Sequence, residues 1–234
     1  MDVDVAAAAG LFADRTRADL VAALLDGRAL TAGELARATD VSAPTASTHL
    51  RRLLDAGVLA VEAQGRHRYY RLVDERAANA FESLAALAPV RPVRSLRQSR
   101  VAVELRVART CYDHLAGQVA VLLADRCMET GVLSKGEHGF ELGEHGAERL
   151  TAFGLDLDGI SRARRSFAHP CLDWSERRHH VAGALGAALL TRMVELGWLT
   201  RRPRHRAVRV EPAGRRGLLE VFGCDLAAID APTG

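Results

Sequence analysis

Asp40-Val-Ser-Ala-Pro-Thr-Ala-Ser-Thr-His-Leu-Arg-Arg-Leu-Leu-Asp55 is the stretch on which the fold turns. Asp40-Val41-Ser42 makes a tight turn, Ser42 is a good N-cap, and Pro44 stands in the first turn, where its absent N–H leaves no helical bond unmade. A helix is expected from about Ala43 to Asp55. Leu50, Leu53 and Leu54 form its buried stripe. Ser42, Pro44, Thr45, Ser47, Thr48, His49, Arg51 and Arg52 lie at its start or on its open face. Short hydroxyls mixed with guanidinium groups are the side chains that reach phosphates and base edges in a major groove.

Toward the N-terminus, Thr31-Ala-Gly-Glu34 fits a capping box and opens a short helix that ends near Thr39. Val5 to Leu25 carries apolar residues at helical spacing and is expected to be one amphipathic helix, closed by the turn at Asp26-Gly27. Toward the C-terminus, Gly57 caps the recognition helix and Val58 to Val61 reads as a strand. Gln64-Gly65 then turns into Arg66-His-Arg-Tyr-Tyr-Arg-Leu72, whose alternation suits a second strand. This hairpin is a wing, and Arg66, His67, Arg68 and Tyr69 suit the phosphate backbone or the minor groove. In the next helix, Asp74 to Ala88, the stripe of Ala77, Phe81, Leu84 and Ala88 fits either a dimer contact or packing on its own domain.

Leu11-Phe-Ala-Asp-Arg-Thr-Arg17, Glu34-Leu-Ala36, Val41-Ser-Ala-Pro-Thr-Ala-Ser-Thr-His-Leu50, Leu53-Leu-Asp-Ala-Gly-Val-Leu59 and Gly65-Arg-His-Arg-Tyr-Tyr-Arg-Leu72 resemble, in order, the successive blocks of the ArsR family of winged helix-turn-helix repressors. The resemblance covers roughly the first third of the chain. It implies a homodimer on a pseudo-palindromic double-stranded DNA operator. Metal-sensing members of that family carry cysteines in the helix before the recognition helix, where this chain has Ala36, Arg37 and Ala38, and the helix after the wing contains no His. Neither familiar metal site of the family is present.

The whole chain carries a formal charge of +3, but the charge is uneven: five Arg against two acids over 42–73, six against one over 91–109, and five against none over 201–209. Local charge matters more for docking on nucleic acid than the total. The longest apolar runs, Val119 to Ala124 and Val181 to Leu190, fall well short of the roughly 20 residues of a membrane span, and the acidic start Met1-Asp-Val-Asp4 is unlike a secretory signal. A cytoplasmic location with no membrane partner is expected.

Pro89 and Pro92 mark a boundary, after which the chain repeats itself. His114-Leu-Ala-Gly117 recurs as His180-Val-Ala-Gly183, and Arg126-Cys-Met-Glu-Thr-Gly-Val-Leu133 as Arg192-Met-Val-Glu-Leu-Gly-Trp-Leu199, both at an offset of 66. Leu150 to Leu157 recurs as Leu219 to Leu226 at an offset of 69. The expected organisation is a winged helix-turn-helix domain at 1–90, a basic linker helix at 91–110, and a C-terminal domain at 111–234 made of two winged-helix-like units, about 107–160 and 173–229. The fold class is mainly α with small β-hairpins. The C-terminal domain is read as an effector or dimerisation module.

Four cysteines occur without a CxxC pair, so free thiols are expected. Cys127 and Cys224 align with Met193 and Leu155, which marks both as core. At the offset of 66, Cys111 aligns with Arg177, while Cys171 falls in a connector without a counterpart. Cys111 and His114, three apart on a predicted helix, share a face and suit two ligands of one metal, and Cys171, His169, Asp173, His179 and His180 are the residues from which the rest of a metal or redox site would come. Trp174 and Trp198 either line a small-molecule pocket or fill the core. Arg91 to Arg109 and Arg201 to Arg206 are either extra phosphate contacts or solvated faces.

The reading that gathers these features is a sequence-specific transcriptional regulator, a repressor released by a small-molecule, metal or redox signal at its C-terminal domain. Two others stay open: an architectural DNA-binding protein without a ligand, and a DNA-binding head fused to a Cys/His enzyme. No phosphate-cradling glycine loop, GxSxG elbow or HExxH motif occurs, so no enzymatic activity is expected.

Overall fold

A computed structural model describes residues 3–89, 95–137, 139–202 and 205–230. The boundary at Arg91-Pro92 and the Pro203-Arg204 step lie outside the described residues. The chain divides into two compact units, one running to Leu84 and the other starting at Ala85.

The first unit contains α1 (Val5–Ala13), α2 (Arg15–Leu24), β1 (Leu30–Thr31), α3 (Ala32–Thr39), α4 (Ala43–Asp55), β2 (Leu59–Gln64) and β3 (His67–Leu72), followed by α5 (Glu75–Leu87), within which the division falls. The expected single helix over Val5 to Leu25 is two. Asp14 is extended (φ −81°, ψ 128°) and its carboxylate accepts the Arg17 N–H, capping α2. The Arg17 guanidinium turns back to donate to the Leu11 and Gly10 carbonyls that end α1, at 2.6 and 2.8 Å. Periodicity does not register such a break, because both segments keep helical spacing on either side of the cap.

The capping box of Thr31 and Glu34 opens α3, and Asp40, left-handed at φ 56°, closes it. The recognition helix α4 occupies the predicted span, with Ser42 as its cap. Leu20, Leu24, Leu25, Leu35, Leu50 and Leu53 are all fully buried between α2, α3 and α4; each is worth about 1.5–3 kcal/mol of apolar burial. The wing pairs β2 with β3 from Leu59↔Leu72 to Gln64↔His67. β1, too short to leave a pattern, adds a third strand through Leu30↔Tyr70 and Thr31↔Tyr69.

The second unit opens with α6 (Leu96–Val107). The first repeat follows as β4 (Arg109–Cys111), β5 (His114–Ala116), α7 (Gln118–Glu129), β6 (Leu133–Gly136), β7 (Gly139–Leu142), α8 (Gly146–Ala152) and α9 (Leu157–Ser161). The second is β8 (His169–Leu172), β9 (His179–Ala182), α10 (Gly183–Glu195), β10 (Leu199–Arg201), β11 (Val208–Val210), α11 (Pro212–Phe222) and α12 (Ala227–Asp230). Each is a hairpin, a helix closed by a left-handed glycine (Gly131, Gly197), a second hairpin and a further helix.

Cys111 and His114 are therefore on a hairpin, not a helix. They are cross-strand partners flanking the two-residue turn Tyr112-Asp113, in which Tyr112 is left-handed at φ 57°. All six residues of β4 and β5 are buried, so no polar alternation announces the strands. The hairpins are exchanged between repeats: β5 packs mainly on α10 and β9 mainly on α7. One apolar core, including Leu123, Leu150, Leu185, Met193 and Phe222, runs through both repeats. Among the described residues, no helix is long and apolar enough to cross a membrane.

Candidate DNA-binding surface and cysteine-histidine centre

Ser42, Pro44, Thr45, Ser47, Thr48, Arg51 and Arg52 are exposed on α4 and its cap, while Ala46, Leu50 and Leu53 face inward. Three hydroxyls make local bonds, since Thr48 donates to the Pro44 carbonyl at 3.1 Å and the Ser42 and Thr45 hydroxyls bond each other at 2.8 Å. The Arg51 guanidinium stands 3.9 Å from Asp55 with both side chains largely exposed, a loose pair that a phosphate can displace. His49 departs from the expected open face. Its side chain is only 15% exposed and its Nδ1 lies 3.6 Å from Asp14, so it joins α4 to the cap of α2. In the wing, Arg66, His67 and Arg68 are exposed, Tyr69 is half-buried, and Tyr70 anchors the strand in the core.

Among the described residues, four arginines of the other basic stretches are committed within the second unit. Arg109 is fully buried, donating to Asp173 Oδ1 at 2.8 Å and to the Leu105 carbonyl and Ser175 Oγ, each at 3.1 Å, with its guanidinium 4.6 Å from the Trp174 ring centre. Arg106 pairs with Glu176. Arg202 pairs with Glu104, and Arg206 donates to the Thr110 carbonyl. These arginines hold the second unit together. Trp198 packs on Phe153 in the core, and an apolar cleft between α7 and α10, lined by Leu115, Leu123, Leu189 and Met193 among others, includes neither tryptophan.

The exchanged hairpins bring Cys111, His114, Cys171 and His180 into one buried cluster whose donor atoms all lie within 4.8 Å of one another. Cys111 Sγ is 4.0 Å from Cys171 Sγ, and His114 Nε2 is 3.2 Å from His180 Nε2. Of the sequence candidates, His169 and His179 stay outside the cluster. Behind His114, Nδ1 is 3.4 Å from Asp113, whose carboxylate is held by Arg165. Behind His180, Nδ1 is 3.4 Å from Asp173 Oδ2. Gly186 on α10 has no side chain where the His114 Cβ approaches.

Asp173 is the hub of this arrangement. Its Oδ1 accepts from Arg109, Ser175 N–H, Ser175 Oγ and Glu176 N–H, and its Oδ2 accepts from Gly117 N–H at 2.7 Å. Burial opposes its ionisation, but His180, Arg109 and the Gly117 N–H outweigh burial and hold its carboxyl far below the ordinary range. His114 shows the complementary effect. Burial disfavours its charge, yet Asp113 and Cys111 push its pKa up to about 9. Cys127 and Cys224 lie in the core, each pushed up to about 12 by burial, as inert thiols.

A helix-turn-helix domain family matches residues 12–62, which hold α2 to α4 and the start of the wing. The HTH-type transcriptional regulator YdfF of Bacillus subtilis (strain 168) is 46% identical over 215 residues, covering 92% of this chain and 95% of YdfF. The chain belongs to the HTH-type transcriptional regulators. The likeness to YdfF extends through the second unit, so both units are part of what this regulator shares with it. Two solved structures are similar over 36% of the chain. One is the AntR antimony-specific transcriptional repressor, 29% identical, with 75% of that chain covered. The other is the homodimeric winged helix-turn-helix DNA-binding domain of Mb0332 from Mycobacterium bovis, 26% identical, with 76% covered. Both have a TM-score of 0.33.

The correspondence of Cys111 with Arg177 does not hold in the regulator. Cys111↔His114 and Cys171↔His180 are equivalent cross-strand pairs, and Arg109↔Ala116 and His169↔Ala182 are their equivalent neighbours. The signal lies in Cys111-Tyr-Asp113 and Cys171-Leu-Asp173, which recur at an offset of 60. Six extra residues in the second turn then change the offset to 66 before His180. Carrying 66 backward across that insertion hides the match.

Proposed function

We propose that this DNA-binding regulator is a homodimeric repressor that reads a pseudo-palindromic operator with Ser42, Pro44, Thr45, Ser47, Thr48, Arg51 and Arg52 of α4 and with Arg66, His67, Arg68 and Tyr69 of the wing. The observation that carries it is the joint exposure of hydroxyls and arginines on α4, whose opposite face of Ala46, Leu50 and Leu53 is fully buried, and of Arg66 and Arg68 beyond it on the wing. The scaffold fixes the geometry and leaves the polar ends free for the grooves. His49 acts indirectly, by seating α4 on Asp14. Release is assigned to a signal received by the C-terminal unit, because the reading head has no cysteine and its α3 offers Ala36 and Ala38.

Arg51→Ala and Arg68→Ala should each weaken binding to the chain's own upstream DNA. If Arg68 meets phosphate, its loss reduces the slope of log affinity against log salt by about one. If Arg51 meets a guanine edge, its loss costs about 1–3 kcal/mol and relaxes preference at one base pair. Fluorescence anisotropy on operator and scrambled duplexes at several salt concentrations measures both. Parent-like binding by both variants would remove α4 and the wing from the interface.

A further inference from the structure

We propose that Cys111, His114, Cys171 and His180 bind one zinc-like ion, a borderline-soft d10 dication held by two thiolates and two imidazoles, which staples the hairpins of the two repeats together. The sulfur–sulfur and nitrogen–nitrogen spacings are close to those of a tetrahedral site. With metal–nitrogen bonds of about 2.0–2.1 Å and metal–sulfur bonds of about 2.3 Å, a tetrahedron places its nitrogens about 3.3 Å apart and its sulfurs about 3.8 Å apart. Here the Nε2 atoms are 3.2 Å apart and the Sγ atoms 4.0 Å.

The surroundings point the same way. Each histidine turns Nδ1 toward a carboxylate, Asp113 or Asp173, and Nε2 toward the centre. That arrangement draws the ring proton to Nδ1 and directs the Nε2 lone pair inward, as outer-sphere carboxylates do for metal-binding histidines. The Nε2 atoms face each other at 3.2 Å, a contact that needs a cation between them, and the place a proton bridges in the metal-free centre is the place the metal ion takes on loading. The carboxylates are themselves fixed, Asp113 by Arg165 and Asp173 by Arg109, so the rings are preorganised.

Charge balances as well. On loading, the thiols and the His114 Nε2 release whatever protons they carry, and two thiolates neutralise a divalent ion in a place where net charge is costly. All four ligands are buried and all come from the protein, leaving no position for substrate, which is the pattern of a structural ion. Each repeat contributes one Cys and one His from matching register positions, so neither hairpin can hold the ion alone. The centre is distinct from both places where metal-sensing relatives of the resembled family bind, and it does not depend on the repressor reading, since metal uptake is read on the protein alone.

The test uses the full chain, stripped with a chelator under reducing conditions and titrated with Zn(II) and, separately, with Co(II). The expected result is one ion per chain, with Co(II) giving the intense visible bands of tetrahedral coordination and a thiolate-to-cobalt charge-transfer band. Asp113→Asn should lower zinc affinity by roughly 10–100-fold, and Cys171→Ser by more, while circular dichroism shows both variants folded. If Cys171→Ser does not fold, Asp113→Asn and the Co(II) spectrum of the parent still decide. A folded parent that takes up no stoichiometric ion, or an octahedral Co(II) spectrum without charge transfer, overturns the proposal. So does a parent that stays empty in excess zinc and joins Cys111 to Cys171 on mild oxidation, which would make the centre a redox pair. Operator binding with and without zinc is scored separately and bears only on the signal assigned to this unit.

Discussion

Asp173→Ala is expected to lose about 3–5 kcal/mol of stability in the second unit, the range for removing one partner of a buried ion pair. Both Arg109 and Asp173 are fully buried, so the variant leaves a guanidinium in the interior with its charge uncompensated. It also strands the donors that converge on the carboxylate: Ser175 N–H, Ser175 Oγ, Glu176 N–H and Gly117 N–H. Asp173→Asn separates the two contributions. It keeps the volume and one acceptor oxygen, but its amide nitrogen must face either the Arg109 side or the Gly117 N–H, and each is a donor. It should therefore lie close to Ala. Tryptophan fluorescence during denaturant unfolding reads this unit selectively, since Trp174 and Trp198 are the only tryptophans and both belong to it. Arg106→Ala, which breaks a pair exposed on its arginine side, should cost less than about 1 kcal/mol. An Asp173→Asn protein that unfolds with the parent would show that neither the charge nor the acceptor count matters.

Asp173 also shows why the chain was readable in part. The recognition helix was legible because three local signals agreed: an N-cap at Ser42, Pro44 in the first turn, and a leucine stripe at helical spacing. The wing was legible because Gln64-Gly65 signals a turn and the run Arg66 to Leu72 after it alternates as a strand does. In the second unit the informative residues are buried on both faces, and strands of three or four residues are too short to establish a period. Cys-x-x-His is ambiguous by itself. On a helix it places two ligands on one face, and across a two-residue turn it places them opposite each other, and only the left-handed turn at Tyr112 decides between them. The pairing of Arg109 with Asp173 spans 64 residues, so charge patterning could not reveal that an arginine of the basic linker is an interior residue. The break at Asp14 belongs to the same class of signal, an aspartate that serves a cap rather than a surface. Cys111, His114 and Cys171 were identifiable as chemistry-bearing residues, and His180 as one possible companion among several. Their convergence depended on the exchange of hairpins between repeats, which no local pattern encodes.

That exchange requires glycine where each hairpin enters its helix, and Gly117→Ala is expected to destabilise the second unit by roughly 3 kcal/mol or more. Gly117 has φ 91° and ψ −172°, a region essentially reserved for glycine and costing of order 1–3 kcal/mol for other residues. The new Cβ would also stand 2.7 Å from the Arg106 carbonyl oxygen and 3.0 Å from that of Val107. These are backbone atoms at the end of α6, so relief requires β5 to move away from them. Movement of β5 pulls Gly117 N–H from Asp173 and shifts His114, one strand-length away, out of the centre. Gly183, the equivalent residue at φ 83°, has the same conflict, with a Cβ 2.9 Å from the Ser166 carbonyl oxygen and 3.0 Å from that of Phe167. Gly57→Ala provides the contrast: it is left-handed at φ 70°, but nothing lies within 4 Å of its new Cβ. Only the backbone penalty of about 1–2 kcal/mol applies there, and it falls on the first unit, leaving the tryptophan transition unmoved. If Gly117→Ala and Gly183→Ala both unfold with the parent, the hairpins are not pinned at these points, and the preorganisation argued for the cysteine-histidine centre loses its mechanical basis. If both fall together while Gly57→Ala does not, the two repeats are held by one shared constraint, imposed at equivalent positions by the same physical cause.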